Sequence, residues 1–261
     1  MIKKELLLGD EAIAWGALNA GLSGVYAYPG TPSTEITEFI QMHPLTRERG
    51  IHCNWSANEK TALEAALGMS FVGKRALVCM KHVGMNVCAD AFVNSAMTGA
   101  NGGLVVVAAD DPSMHSSQNE QDSRFYAKFA MIPCFEPASQ QEAYEMIGEA
   151  FDFSEKYQIP VLMRVTTRMP TRVPWSKSAN PASKTRSTTP ERPPPVILMP
   201  ATRAYVTKPS SRRTNSSSRR PNIRATTATS TDRTNPWASS PAVWPTTILW
   251  RTSRKAAPSP C

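Results

Sequence analysis

Through the first two-thirds of the chain the hydrophobic pattern switches repeatedly between helical and strand spacing. Asp10 to Asn19 begins on a good N-cap residue and stops before Gly21, which predicts a helix with both end signals. Gly24 to Tyr28 is a short β-type run closed by Pro29-Gly30. A short helix is expected from Ser33 to Gln41, with Ser33 as its cap, and then a strand from Ile51 to Trp55. Asn58 is placed to cap a helix from Glu59 to Phe71. Arg75 to Met80 reads as a strand and Met85 to Met97 as a helix. Gly103 to Ala109 is almost uninterruptedly apolar, as in a strand buried on both faces of a parallel sheet. Cys134 to Glu136, Gln140 to Tyr157 and Val161 to Val165 complete the series as strand, helix and last strand.

Strands alternating with helices in this way predict an α/β fold, a doubly wound and mostly parallel sheet. Ligands of such sheets sit beyond the carboxyl ends of the strands. Four segments leave those ends: Tyr28 to Ser33, Ser56 to Glu59, Lys81 to Asn86, and Asp110 to Arg124. They are also the stretches richest in polar chemistry, and that coincidence marks the candidate site.

Composition divides the chain at about residue 170. Residues 1–170 hold 13 basic and 19 acidic residues, a net of −6, whereas residues 171–261 hold 16 and 2, a net of +14. The basic pI of 9.4 therefore belongs to the second part and says nothing about the first. All 13 glycines precede residue 170, and Ser, Thr, Pro and Arg dominate the second part. Its apolar stretches, Val196 to Met199 and Ile248 to Trp250, are brief, and prolines interrupt any helix longer than about two turns. That leaves too little burial to offset ordering costs of roughly 1–2 kcal/mol per residue. The expectation is a folded domain over 1–169 and a disordered tail over 170–261. No run of 18 apolar residues predicts a membrane span, and the N-terminal leucines are too few for a signal-peptide core. The five cysteines are odd in number and never form a C-x-x-C pair. That speaks against a disulfide framework, a zinc site or an iron–sulfur cluster, and makes a cytoplasmic location the default expectation.

Familiar catalytic signatures are missing. Neither phosphate-binding glycine pattern occurs, nor does the G-x-S-x-G elbow of a serine hydrolase, so His115 beside Ser116 and Ser117 reads as an ordinary polar loop. Glu59, at the start of a helix whose N-terminus faces the binding edge, is either a solvated first-turn acid or a site residue. Asp110-Asp111 before Pro112 suits a turn and cap better than a cation site. His82 after Lys81 is either an exposed loop residue or part of the site.

Several motifs in order then point one way. Gly9-Asp10-Glu11-Ala12, Tyr28-Pro29-Gly30-Thr31-Pro32-Ser33, Asn58-Glu59-Lys60-Thr61-Ala62, Lys81-His82-Val83-Gly84-Met85-Asn86 and Asp110-Asp111-Pro112 lead on to Gln118 to Arg124. Together with Glu136-Pro137 and Pro160 to Arg164, they resemble the N-terminal region of indolepyruvate:ferredoxin oxidoreductase alpha subunits. These belong to the thiamine-diphosphate-dependent 2-oxoacid:ferredoxin oxidoreductases, and the resemblance covers residues 1 to about 169. It implies the domain that binds the pyrimidine half of thiamine diphosphate. In that role Glu59 is the carboxyl paired with the aminopyrimidine ring, favouring the imino tautomer that takes the thiazolium proton. Such a carboxyl needs a dry pocket, closed by partner domains. Thr31 would bind the 2-oxoacid carboxylate, with Arg124 reaching substrate or a partner subunit. Tyr28, Pro29, Gly30, His82, Val83 and Gly84 would line the cofactor.

The resemblance also implies features for which this sequence has no matching residues. Mg²⁺ and diphosphate ligands, and cysteines for 4Fe-4S clusters, belong to later parts of the family's longer subunit; no Gly-Asp-Gly run follows residue 170 and the only later cysteine is Cys261. A Gly-free, Ser/Thr/Pro/Arg-rich stretch is what out-of-frame reading of a GC-rich gene yields, so residues from about 170 are expected to be a frameshift product. Resequencing the locus tests this, and it fails if no frame restores the family sequence. The function expected is that of an N-terminal fragment of an arylpyruvate oxidoreductase, inactive alone. In the intact enzyme a beta subunit, ferredoxin, a 2-oxoacid and coenzyme A would be its partners. The alternatives are a non-catalytic α/β remnant with a basic tail and, more weakly, a tail that binds nucleic acid through its charge.

Overall fold

The computed structural model describes residues 3–167, 175–178, 183 and 249–250. In chain order its first half runs β1 (Lys3–Leu6), α1 (Gly9–Asn19), β2 (Gly24–Ala27), α2 (Thr34–Met42), α3 (Pro44–Glu48), β3 (His52–Trp55), α4 (Glu59–Phe71) and β4 (Ala76–Lys81). The second half runs α5 (His82–Thr98), β5 (Leu104–Asp110), α6 (Arg124–Ala130), β6 (Cys134–Phe135), α7 (Gln140–Tyr157), β7 (Val161–Thr166), β8 (Trp175–Ser178) and β9 (Leu249–Trp250).

Strands β2 to β7 form one parallel sheet in the order β3-β2-β4-β5-β7-β6, with β9 beside β6. Successive side chains of each strand point to opposite faces, so the apolar runs fill two cores at once. Val25, Leu77, Cys79, Val105 and Val107 pack with α1, α2 and α7 on one face. Tyr26, Val78, Met80, Val106 and Ala108 pack with α4, α5 and α6 on the other. The doubly wound parallel architecture expected from the sequence is thus present.

Helix α4 starts where its predicted cap places it, and α7 starts at Gln140 as expected, with a cap that the structure adds. Asn58 accepts the Thr61 amide at 2.9 Å and starts α4 at Glu59, and Ser139 caps α7 in the same manner. Helix α1 differs, because Asp10 is not its cap. The Glu11 carboxylate accepts the Leu8 amide at 2.7 Å, so the helix starts at Gly9 and draws Asp10 into the protein. Helix α5 starts at His82 rather than Met85, running through Gly84. Elements β1, α3 and α6 have no strong pattern in the sequence. The expectation that Val161–Val165 is the last strand is corrected by β8, which pairs antiparallel with β1, and by β9. Unpaired strand edges at β1 and β6 supply the backbone partners that local pattern does not reveal. The remainder of the expected tail lies outside the described residues. No described helix is long and apolar enough to cross a membrane.

Candidate functional site

After β2 the chain passes outward to β3, then crosses back to place β4 on the other side of β2. The carboxyl ends of β2 and β4 therefore flank the topological switch point, where open α/β sheets leave a crevice. The four segments singled out in the sequence all leave this edge, since every strand involved is parallel.

The loop after β2 is folded on itself. Ser33 donates to the Gly30 carbonyl from both its amide and its hydroxyl at 2.8 Å, and the Gly30 amide donates to Thr34 Oγ1 at 2.9 Å. Tyr28, Pro29 and Thr31 are left exposed on the outer side of this turn, ahead of a cis Thr31–Pro32 bond. Gly30 lies against Lys81, where a Cβ would meet the lysine Cβ at 3.3 Å.

Glu59 is the first residue of α4, and it is buried, with 8% of its surface exposed. That removes the solvated first-turn reading. Its side chain crosses to the first turn of α5, where a Cβ on Gly84 would stand 2.6 Å from Glu59 Cγ and 2.7 Å from Oε1. Only glycine leaves room for the carboxyl there.

His82 is fully buried, which decides against an exposed loop residue. Its Nε2 donates to the Asn119 carbonyl at 3.1 Å, a contact in which only the ring can be the donor, while Nδ1 has no partner. Val83 is half-buried beside it. Lys81 Nζ donates to the Ser116 carbonyl at 2.6 Å, so the lysine and the histidine together hold the 111–123 loop onto the site.

That loop is organised by the paired aspartates as a turn. Asp111 accepts the His115 and Ser116 amides at 3.2 and 2.8 Å and the Ser117 hydroxyl at 2.5 Å. Asp110 accepts the Ser123 amide at 3.0 Å together with the Ser123 hydroxyl, which fixes the start of α6. No group of three or more potential metal ligands occurs among the described residues.

Arg124 opens α6 and is gripped rather than free. Asp122 accepts its Nε at 2.8 Å and its Nη2 at 2.5 Å, which holds the guanidinium above its usual range. Arg164, which sequence reasoning missed, lies buried in β7 and donates through Nε to Asp110 at 2.5 Å and through Nη1 to Glu136. A lone arginine inside the apolar run Val161 to Val165 was the available signal. Asp10 was likewise missed: it is 3% exposed, its Oδ1 lacks a partner, and burial, with Glu35 and Glu11 nearby, pushes its pKa up to about 8.

The structure thus brings Glu59, Gly84, His82 and the Gly30 turn to the switch point. Arg124 stands on the same edge, beyond the end of β5.

Comparisons with known proteins agree with this arrangement. A profile described as pyruvate flavodoxin/ferredoxin oxidoreductase, thiamine diphosphate-binding, matches residues 15–231. Indolepyruvate oxidoreductase subunit IorA of Pyrococcus horikoshii is 53% identical over 166 residues, covering 64% of this chain and 25% of that protein. The same-named subunit of Archaeoglobus fulgidus is 51% identical over 169 residues, 64% of this chain and 27% of that one. The chain thus spans about a quarter of the length of these relatives. A solved 2-oxoglutarate:ferredoxin oxidoreductase from Magnetococcus marinus superposes with a TM-score of 0.65 at 18% identity, covering 85% of this chain and 46% of that one. With a parallel sheet wound as that fold requires and a family profile matching most of its length, the chain belongs to the thiamine-diphosphate-binding pyruvate flavodoxin/ferredoxin oxidoreductase family.

Proposed function

We propose that residues 1–169 form the pyrimidine-binding domain of an oxidoreductase acting on indolepyruvate or a related arylpyruvate. The observation that carries the reading is Glu59: a carboxyl at a helix start, inside the switch-point crevice, 8% exposed and set against a glycine. A carboxyl held at the ligand-binding edge of the sheet, with a glycine making its room, suits a ring nitrogen supplied by a ligand. Thiamine diphosphate, when bound, supplies the nucleophilic carbon that attacks a 2-oxoacid. Glu59 would hold the pyrimidine ring and share a proton with its nitrogen. Gly84 keeps space for that carboxyl, and His82 and Val83 form the wall beside it. The turn at Tyr28, Pro29 and Gly30 would close the opposite side, with Thr31 donating to the substrate carboxylate and Arg124 supplying a cation.

On this reading Mg²⁺, diphosphate and 4Fe-4S ligands come from other domains of the intact enzyme. The beta subunit, ferredoxin and coenzyme A are its partners, and the cytoplasm is its place. Residues from about 170 are read as out-of-frame sequence, tested by resequencing the locus.

The chimera that replaces the matching quarter of the Pyrococcus horikoshii subunit with residues 1–169 tests the assignment. It should reduce a viologen dye with indolepyruvate, and Glu59→Gln should lower the rate on the order of 10²-fold or more. An active chimera indifferent to Glu59→Gln would defeat the assignment. The 261-residue chain alone should show no micromolar affinity for thiamine diphosphate with Mg²⁺ in calorimetry. Such affinity, abolished by Glu59→Ala, would show that no further domain is needed.

A further inference from the structure

Two guanidiniums and three carboxylates meet at the end of the β5–β7–β6 part of the sheet, and the pairing among them is not one to one. Asp122 grips Arg124 through Nε and Nη2, yet it also stands 3.5 Å from Arg164 Nε. Glu136 accepts from Arg164 Nη1 and lies 3.6 Å from Arg124 Nη1. Both carboxylates therefore bridge both arginines. The arginines themselves are unlike: the Arg164 side chain is 8% exposed and tied to the fully buried Asp110, whereas that of Arg124 is 41% exposed. Arg164 sits on a central strand and Arg124 on the first residue of a short helix at the binding edge.

We propose that Arg164 is a positioning residue that keeps Asp122 and Glu136 paired when Arg124 turns toward the carboxylate of a 2-oxoacid. This rests on the reading that Arg124 serves that carboxylate. As the side chains stand, a substrate must draw Arg124 away from a two-point contact with Asp122. Leaving a half-buried carboxylate unpaired would oppose the exchange. With Arg164 already beside it, Asp122 needs only a small shift to complete a second ion pair, so the charge stays compensated throughout. Planarity matters to this role: Nε–H is donated to Asp110 and Nη1 to Glu136 in one plane. Asp122 lies 3.5 Å from the same Nε and would take its second ion pair from the guanidinium's remaining N–H groups, a division that a lysine ammonium cannot reproduce. No covalent step is involved, only a change of hydrogen-bond partner.

Phenylpyruvate titrated into the ¹⁵N-labelled 261-residue chain, followed through the arginine Nε–H resonances, tests the proposal. The Arg124 and Arg164 signals should move together with one dissociation constant. Arg164→Lys should raise that constant roughly three- to tenfold while the backbone amide spectrum of the domain is retained. A silent Arg124 in the unmodified chain would mean that the assignment of Arg124 to the oxoacid fails, taking the proposal with it. If Arg124 responds but Arg164 does not, the exchange between them is refuted while the assignment of Arg124 stands. The paired response is measured on the unmodified chain, so it decides the matter even if Arg164→Lys fails to fold. A well-folded Arg164→Lys chain with an unchanged constant also overturns the proposal.

Discussion

At the β2/β4 end of the sheet edge, buried polar atoms go without partners. His82 Nδ1 and Asp10 Oδ1 are unpaired, and a glycine makes room for the Glu59 carboxyl. At the β5–β7–β6 end the reverse holds: Arg164 alone engages Asp110, Glu136 and Asp122, and Asp110 also takes the amide and hydroxyl of Ser123. Both ends belong to one sheet, so packing alone does not explain the contrast. Unsatisfied polar groups cost stability, and proteins retain them where a ligand completes the pairing. The saturated end anchors both ends of the 111–123 loop, whose middle is then held by Lys81 and His82 over the unsatisfied end. Rigidity on one side thus supports openness on the other.

Breaking the saturated end should have the largest effect on stability. Arg164→Met leaves Asp110 buried without its cation and should cost about 3–5 kcal/mol, read from the denaturant midpoint. A change below about 1 kcal/mol would mean that the network is not what fixes this end. Relieving the open end should do the opposite. Asp10 carries a pKa raised to about 8 by burial and by Glu35 and Glu11, above the ordinary 3.8. The folded state therefore holds a proton that the unfolded state releases, and stability falls as pH rises from about 4 to about 8. Asp10→Asn should match the parent chain below pH 4 and exceed it by on the order of 2–4 kcal/mol at pH 8. Thermal melts across that range would show it, and parallel pH curves for the two chains would contradict it.

Gly84→Ala sharpens the comparison further. Its Cβ would overlap Glu59 Cγ, a flexible side chain that can swing outward. The stability cost should be only about 1 kcal/mol, while dye reduction by the chimera should fall as far as with Glu59→Gln. Full activity would show that Glu59 need not lie where it does. The smallest effect is expected from Asn58→Ala, which removes the cap of α4 at a cost of about 1 kcal/mol. Its activity loss should track the fraying of Glu59, measured by amide exchange in the first turn of the helix.

The apolar runs were legible because burial on two faces demands them. Gly103 to Ala109 reads from sequence as a strand buried on both faces, and the Asn58 cap fixes a helix start to the residue because capping is local. The start of α5 was not legible: Gly84 argues against a helix until Glu59, from another helix, is seen to need its space. Helix α6 was hidden for a similar reason, since its first turn is secured by Asp110 from β5. Local pattern was thus enough for the alternation of strands and helices, the binding edge and the candidacy of Glu59. The burial of Glu59 and His82, the enclosure of Asp10 and the acids that Arg164 shares with Arg124 emerge only from the packed fold. Those properties depend on groups distant along the chain meeting where water is excluded, and no local pattern of residues records such meetings.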